Sequence, residues 1–219
     1  MAASLKGIVF DLDGTLVDSL STSFDAFNHG ITRFGGKKHT PLEILAYFGT
    51  SEGNIFAKIL GPEKATPAAK AFREYVDENV HTMPLHAGVG ELLEKLKSND
   101  VPISIFTGRG WETTELILNH HRLMDRFITV ITTDHVTSAK PSPEGLMICL
   151  NKMKMDPREV LMVGDSGYDM LAAQGAGSPS VAALWDLMAK REDLAKHHPH
   201  HFAEKPEQIF SLWEQLAVP

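Results

Sequence analysis

Short apolar runs alternate along the chain with segments of helical periodicity. Five runs are rich in aliphatic or β-branched residues, are bounded by Gly, Pro, Asp or Ser, and have the length of strands. They predict strands at residues 7–10, 102–106, 127–131, 160–163 and 180–183. Their nearly continuous apolar character is typical of parallel strands covered on both faces. The pattern therefore predicts an α/β fold with a Rossmann-like parallel sheet as its core.

The segment between the first two predicted strands contains only helical patterns. Apolar residues from Leu20 to Phe34 recur at helical spacing, and further helices are predicted at 41–48, at 51–60 and from Thr66-Pro67 onward. The aromatic stripes of these helices are expected to form their shared core. Because the block is too long for a simple crossover, we predict an inserted all-α cap over the carboxyl ends of the strands. It would comprise residues 19–84, and the α/β core would comprise 1–18 and 85–219.

Composition and charge exclude several classes of function. The chain has 219 residues with 21 Lys and Arg against 28 Asp and Glu, a formal net charge of −7. An acidic chain is poorly suited to non-specific binding of nucleic acid or anionic membranes. The single cysteine, Cys149, excludes an intrachain disulfide, suits a reducing compartment and falls in an apolar stripe typical of a helix core. With no long apolar run and no signal-peptide pattern, we expect a cytoplasmic protein.

Two carboxylates follow the first predicted strand directly. Asp11 and Asp13 stand two residues apart in the sequence FDLDGTLVDS, residues 10–19. Like charges this close repel unless a cation or a proton intervenes. The pair therefore indicates a bound metal, a shared proton, or a nucleophile beside an acid–base group, although Asp and Gly are also ordinary turn residues.

A second acidic cluster follows the fourth predicted strand. Asp165 ends that strand, and Asp169 comes one helical turn later in VGDSGYDM. Carboxylates from two strand ends suit Mg²⁺, which takes few protein ligands and keeps waters. The alternative is that Asp165 is simply the N-cap of the next helix.

Two other segments provide groups that bind phosphate. Thr107 and Gly108 follow the second predicted strand and precede a helix, where backbone amides can cradle an anion. Lys140 stands before Pro141 and the predicted N-cap Ser142, so a rigid turn would fix its charge. Either feature alone is unremarkable, since a solvated lysine before a helix is common.

The order of these four segments is specific. FDLDGTLVDS, FTGR, AKPSPEG and VGDSGYDM all fall at strand ends in one α/β pattern, and PLHAGVGELLEKLK follows the helical insert. In this the chain resembles the haloacid dehalogenase-like superfamily, in its phosphoglycolate phosphatase and β-phosphoglucomutase branch with a helical cap. The resemblance covers essentially the whole chain, though the cap matches only in length and helicity.

The resemblance implies a role for each motif residue. Asp11 would be the nucleophile that forms an aspartyl-phosphate, and Asp13 the general acid and then the general base. The implied Mg²⁺ ligands are Asp11, the backbone carbonyl of Asp13, Asp165 and, directly or through water, Asp169. The implied phosphate ligands are Thr107, the Gly108 amide and Lys140.

The implied activity is Mg²⁺-dependent hydrolysis of a small phosphorylated metabolite, similar to phosphoglycolate or a sugar phosphate. A phosphosugar mutase and an inorganic pyrophosphatase use the same chemistry, and a non-catalytic phosphometabolite sensor or protein-interaction module is the alternative outside enzymes. The resemblance also implies that dehalogenation is disfavoured, because dehalogenating members lack an aspartate at the position of Asp13. The oligomeric state is not encoded in any of these patterns.

Substrate selectivity is predicted to reside in two places. Arg109 lies beside Thr107, and the segment Tyr47-Phe48-Gly49-Thr50-Ser51 is a candidate loop that reaches toward the nucleophile, with Gly49, Thr50 and Ser51 as candidate contacts. The histidine-rich segment 197–201 is interpreted as an exposed loop rather than a metal site, because its adjacent spacing and central proline do not suit tetrahedral ligation.

Overall fold

The computed structural model describes residues 4–217. Its strands are β1 (Gly7–Phe10), β2 (Ile103–Phe106), β3 (Val130–Ile131), β4 (Val160–Gly164), β5 (Ser180–Ala183) and β6 (His201–Ala203). They form one sheet in the order β3-β2-β1-β4-β5-β6, and every neighbouring pair is parallel. The predicted α/β class with a parallel core is therefore confirmed.

Ten α-helices are found in the same described residues. They are α1 (Leu20–Arg33), α2 (Pro41–Leu45), α3 (Glu52–Leu60), α4 (Pro62–Asn79), α5 (Val89–Ser98), α6 (Trp111–His120), α7 (Glu144–Met153), α8 (Gly167–Ala176), α9 (Arg191–Ala195) and α10 (Glu207–Leu216). Short 3₁₀ turns occur at Val80–Thr82, Met124–Arg126, Thr133–His135 and Pro157–Glu159. Across residues 4–217, no helix is both long and apolar enough for a membrane crossing.

Both faces of the sheet are covered by helices. Ile8 and Phe10 of β1 belong to the cluster that contains the buried side chains of α5, α6 and α10, whereas Val9 belongs to the cluster that contains those of α7 and α8. This alternation follows from the period of two along a strand.

Cys149 of α7 is buried in the second cluster, and burial raises the pKa of its thiol to about 12. It is therefore a core residue, as expected.

The helices α1 to α4 pack on one another through aromatic side chains. The ring of Phe27 lies 5.5 Å from that of Phe56 and 4.5 Å from that of Phe72, measured between centroids. Backbone hydrogen bonds join the two chain segments that enter and leave this block, from Asp18 N to Pro84 O at 2.9 Å and from His86 N to Leu16 O at 3.1 Å. The division into core and cap at residues 18/19 and 84/85 stays a prediction.

The structure differs from the predicted strands in two places: the third strand is shorter than predicted, and a sixth strand was not predicted. The third strand is limited to Val130–Ile131, although Ile128 N still bonds Ile103 O at 2.9 Å. This strand lies at the sheet edge, and Ile128 is exposed. The sixth strand was not predicted, because it is only three residues long, lies at the other edge of the sheet and begins at the last residue of the histidine-rich segment. His201 begins that strand, and His200 Nδ1 accepts from Ser180 N at 3.2 Å.

Three helix boundaries also differ from the predicted ones. Helix α4 begins at Pro62 rather than at Thr66-Pro67, because Pro62 has the fixed φ that suits a first helical position. Pro67 lies inside this helix, where it removes one backbone donor. Helix α2 ends at Leu45 rather than at residue 48, and α7 begins at Glu144 with Pro143, not Ser142, as its N-cap.

A pair of glycine substitutions tests the packing of α7 on the sheet. A Cβ at Gly145 would overlap the ring of Phe106 on β2, whereas a Cβ at Gly90 of α5 would meet no atom within 4 Å. We expect Gly145→Ala to lower the free energy of unfolding by about 1–3 kcal/mol through overpacking. Gly90→Ala should leave it unchanged or raise it by up to about 1 kcal/mol. Chemical denaturation of both variants checks this, and equal effects would contradict the packing described.

Candidate active site

The predicted motif residues converge at the carboxyl edge of the sheet. Phe10 of β1 is in register with Ile105 of β2 and Val163 of β4, so the residues that follow these strands emerge side by side. Asp11 continues the ladder, with its amide donating to Val163 O at 2.8 Å. Thr107 and Asp165 follow β2 and β4 and line the same cavity as Asp11. Parallel topology therefore brings the separate motifs together.

A glycine allows the two acidic segments to approach closely. Gly14 has a φ of +75°, in the left-handed region, and a Cβ at this position would overlap the carboxylate of Asp165. The next residue, Thr15, donates from its hydroxyl to Asp165 Oδ1 at 2.9 Å. The turn after β1 therefore positions the carboxylate that follows β4.

Lys140 is the cation at the centre of the acidic cluster. Its Nζ donates to Asp11 Oδ1 at 2.7 Å and to Asp169 Oδ1 at 2.5 Å, and the residue is only 5% exposed. The ammonium also lies 4.8 Å from the centre of the Phe106 ring. Burial lowers the pKa of Lys140, but the two carboxylates outweigh this and raise it above its usual range. The side chain is therefore a fixed positive charge.

Asp169 is held by the start of α8. Ser166 is the N-cap of this helix, and both its amide and its hydroxyl donate to Asp169 Oδ2, at 3.1 and 2.5 Å. Asp165 does not have the capping role that was its alternative explanation. Instead, the capping box of Ser166 and Asp169 turns a fully buried carboxylate toward Lys140 and the end of β4.

Three carboxylates form a possible metal centre. Within residues 4–217, Asp11, Asp165 and Asp169 each offer an oxygen, and these atoms lie within 4.8 Å of one another. Burial raises the pKa of Asp11 to about 7 against the attraction of Lys140, and the charge of Asp169 adds to the rise. Burial and the charges of Asp11 and Asp169 also raise the pKa of Asp165 well above its usual value. When all three carboxylates are ionised, the single positive charge of Lys140 leaves two negative charges to be neutralised, so the donor set fits a hard divalent cation such as Mg²⁺.

Asp13 is held in a separate ion pair. The guanidinium of Arg109 donates to Asp13 from Nη2 at 2.6 Å and from Nε at 3.0 Å, and the hydroxyl of Ser19 also donates to this carboxylate. Burial raises the pKa of Asp13, but the charge and hydrogen bonds of Arg109 outweigh it and hold the pKa below its usual range. In this arrangement Asp13 is ionised, and its oxygens accept hydrogen bonds from Arg109 and Ser19. To accept or donate a proton, it has to leave the ion pair.

The phosphate-binding candidates lie on the same cavity. Thr107, Gly108 and Lys140 all line it, and Thr107 Oγ1 accepts from Arg109 N at 3.1 Å. Gly108 is exposed. The structure thus brings the predicted core residues into one site, while their catalytic and ligand roles stay predictions.

The predicted specificity residues lie beside the core, but only Gly49 and Thr50 line the cavity, and Ser51 does not. Gly49 has a φ of +96°, and a Cβ there would lie 3.3 Å from Lys140 O. Gly49 and Thr50 line the cavity together with Arg109. Ser51 is not among the lining residues, because its hydroxyl caps α3 by accepting from Asn54 N at 3.4 Å.

Several residues that line the cavity were not predicted as site residues, and three of them have clear structural positions. Glu52 Oε1 accepts from Gly110 N at 2.9 Å, and Ser23 Oγ accepts from Arg109 Nη2 at 2.6 Å, so both join a cap helix to the core. His197, treated only as part of a loop, also lines the cavity. The sequence predicts the helices that carry Glu52 and Ser23, but it does not show how these helices pack against the core. It therefore does not place the two residues at the cavity. No spacing signal identifies His197.

A metal-binding measurement tests the charge of the acidic cluster. We expect Mg²⁺ to raise the melting temperature relative to EDTA, because binding to the folded state adds about 2.7 kcal/mol at a hundredfold excess over Kd. Asp165→Asn should reduce this gain, whereas Asp77→Asn, at an exposed position of α4, should not. Identical melting in Mg²⁺ and EDTA would contradict a metal centre here.

A double-mutant cycle tests the ion pair of Asp13 and Arg109. Arg109→Met should lower the free energy of unfolding by about 3 kcal/mol, because it leaves a largely buried carboxylate unpaired. Adding Asp13→Asn should restore much of that loss. Denaturant unfolding of the two single variants and the double variant measures the coupling, and strict additivity would show that the pair contributes nothing.

Comparison with known proteins adds independent information. Residues 8–183 match the family model of the haloacid dehalogenase-like hydrolases. Curated relatives include pyrophosphatase PpaX of Bacillus mycoides and of Bacillus cereus, each 28% identical over 213 residues that cover 97% of this chain and 98% of theirs.

Solved structures share the fold. A predicted phosphoglycolate phosphatase from Haemophilus somnus superposes with a TM-score of 0.85 at 22% identity, covering 97% of this chain and 99% of that one. CbbY from Rhodobacter sphaeroides, solved in complex with phosphate, gives 0.81 at 20% identity, covering 94% and 96%. The family match extends over well more than half of the sequence and agrees with the resemblance carried by the four motifs. This chain belongs to the haloacid dehalogenase-like hydrolase family.

Proposed function

We propose that the protein is a Mg²⁺-dependent phosphatase of a small phosphorylated metabolite, with Asp11 as its nucleophile. The observation that carries the proposal is the position of Asp11. Its carboxylate borders the cavity, is oriented by Lys140 at 2.7 Å, and lies within reach of the other carboxylates of the cluster. A nucleophile, a fixed cation and an acid–base carboxylate at one cavity are the elements that phosphoryl transfer requires.

In the first step a carboxylate oxygen of Asp11 bonds to phosphorus while the bond to the leaving oxygen breaks. Asp13, once released from Arg109 and protonated from solvent, gives its proton to the departing alkoxide. In the second step a water molecule attacks the aspartyl-phosphate, Asp13 accepts a proton from that water, and the bond between Asp11 and phosphorus breaks. Phosphate leaves, Asp11 is regenerated as a carboxylate, and Asp13 is regenerated as the acid that begins the next cycle.

The remaining groups stabilise charge. Lys140, the hydroxyl of Thr107 and the amide of Gly108 are proposed to hold the phosphoryl oxygens. Mg²⁺, held by Asp11, Asp165, the Asp13 carbonyl and Asp169, would neutralise negative charge on the transferring group. We further propose that residues 19–84 act as a cap that selects the leaving group, because side chains of α1 to α4 form one wall of the cavity.

Pyrophosphate hydrolysis is the second candidate. The Bacillus relatives that match along nearly the whole chain bear the name pyrophosphatase, and the same two displacements would cleave a phosphoanhydride. A screen of phosphate release from p-nitrophenyl phosphate, metabolite esters and pyrophosphate, in Mg²⁺ and in EDTA, separates the candidates. A requirement for a sugar bisphosphate activator would instead indicate a mutase, and no turnover of any compound would favour the sensor hypothesis.

The variant Asp11→Asn tests the nucleophile. We expect it to abolish phosphate release, because the amide cannot form the aspartyl-phosphate. It should remain folded, since it removes one negative charge from a cluster that carries an excess of them. Phosphatase assays paired with thermal melts measure both effects, and Asp77→Asn is the control. Substantial activity of Asp11→Asn at unchanged protein purity would refute the assignment.

A further inference from the structure

The cavity above the candidate nucleophile has two chemically different ends. Its volume of about 320 Å³ is within the range of small-molecule sites. The end near the sheet carries the carboxylates and Lys140 described above. The wall formed by the cap consists mainly of aliphatic and aromatic side chains from all four of its helices and the loop after α2: Leu20, Phe27, Leu45, Phe48, Ile55 and Phe72.

The polar side chains on the cap wall already have partners in the protein. Ser23 Oγ accepts from Arg109 at 2.6 Å, and Thr50 Oγ1 accepts from Asn54 Nδ2 at 2.9 Å. A sugar has a hydroxyl on nearly every carbon, and each buried hydroxyl without a partner costs free energy. The six apolar side chains of this wall offer no partner to such hydroxyls, so the wall disfavours a sugar as the leaving group.

The charges at the cap wall also disfavour a second anionic group. Arg109 is balanced by Asp13 at 2.6 Å, and the partly buried carboxylate of Glu52 borders the same space. A carboxylate or second phosphate would have to displace Asp13 and approach Glu52. Lys190 also borders the cavity, and its Nζ donates to Leu187 O at 2.7 Å. Because Asp193 borders the cavity as well, these two side chains bring charges of opposite sign to it.

We infer that the substrate is a phosphate monoester of an apolar alcohol, aliphatic or aromatic, whose hydrocarbon part packs against the six apolar side chains of the cap. The inference rests on the proposed phosphatase function and narrows its substrate class. Such a substrate differs from phosphoglycolate, sugar phosphates and pyrophosphate, whose leaving groups are polar or charged. Burial of the hydrocarbon would contribute binding free energy in proportion to its apolar area.

A homologous series of substrates tests the inference. We would measure phosphate release from n-alkyl phosphates, ethyl to octyl, and from benzyl phosphate, with phosphoglycolate, glucose 6-phosphate and pyrophosphate as polar comparators. The value of kcat/KM should rise about fourfold per added methylene until the chain fills the cavity, as expected from about 0.8 kcal/mol per buried CH₂. A flat or falling series, or faster turnover of a polar comparator, would overturn the inference.

Two leucines of α2 provide a matched pair of variants. Leu45 lines the cavity, whereas Leu42, three residues earlier, is 73% exposed and is not part of the wall. Leu45→Ala should lower kcat/KM for hexyl phosphate by about tenfold and lower that for ethyl phosphate much less. Leu42→Ala should change neither value. Equal losses for both esters in Leu45→Ala would show that this wall does not bind the alkyl group.

The same measurements distinguish a failure of the proposed phosphatase function from a failure of the proposed apolar leaving group. If p-nitrophenyl phosphate, the alkyl phosphates and the polar comparators all release no phosphate, the phosphatase assignment fails and the inference fails with it. If p-nitrophenyl phosphate is hydrolysed in Mg²⁺ but polar comparators are preferred, the phosphatase assignment stands and only the apolar leaving group is refuted.

Discussion

The ammonium of Lys140, placed between Asp11 and Asp169, is the contact on which the rest of the site depends. A buried ion is stable only when its charge is paired and its hydrogen bonds are made. Lys140 satisfies this condition with carboxylates from the end of β1 and the first turn of α8. Because these segments are distant in sequence, the ion network forms only when β1, β4 and α8 are in their final positions. Folding of the sheet and assembly of the site are therefore one process.

The second ion pair connects this site to the cap. Arg109 follows β2, bonds Asp13 after β1, and reaches Ser23 on α1. The carboxylate that is proposed to move protons is thus held by a side chain that also contacts the cap. A displacement of α1 relative to the sheet would change the partners of Arg109, and through them the environment of Asp13. In this way the position of α1 is coupled to the environment of Asp13.

Much of the core was predictable from the sequence because its signals are local. Continuous apolar runs identify buried parallel strands, and residues directly after such strands must meet at one edge of the sheet. The missed features depend on distant contacts. The short edge strand His201–Ala203 has no apolar pattern of its own, and Glu52 becomes part of the cavity only because α3 docks against Gly110. The predicted start of α4 at Thr66-Pro67 was wrong because a proline can also be accommodated inside a helix that began earlier.

The cap shows how a core residue can also be a site residue. Phe27 and Phe72 were predicted to pack between helices, and they do, with only 3% and 2% of their surface exposed. Both nevertheless line the cavity. Since the same rings stabilise the helical block and shape the cavity, the stability of the block and the shape of the cavity cannot vary independently. A substitution that enlarges the cavity at these positions also removes packing from the cap. The shape of the cavity is therefore easier to change at partly buried positions such as Leu45 and Phe48, where less of the packing is lost.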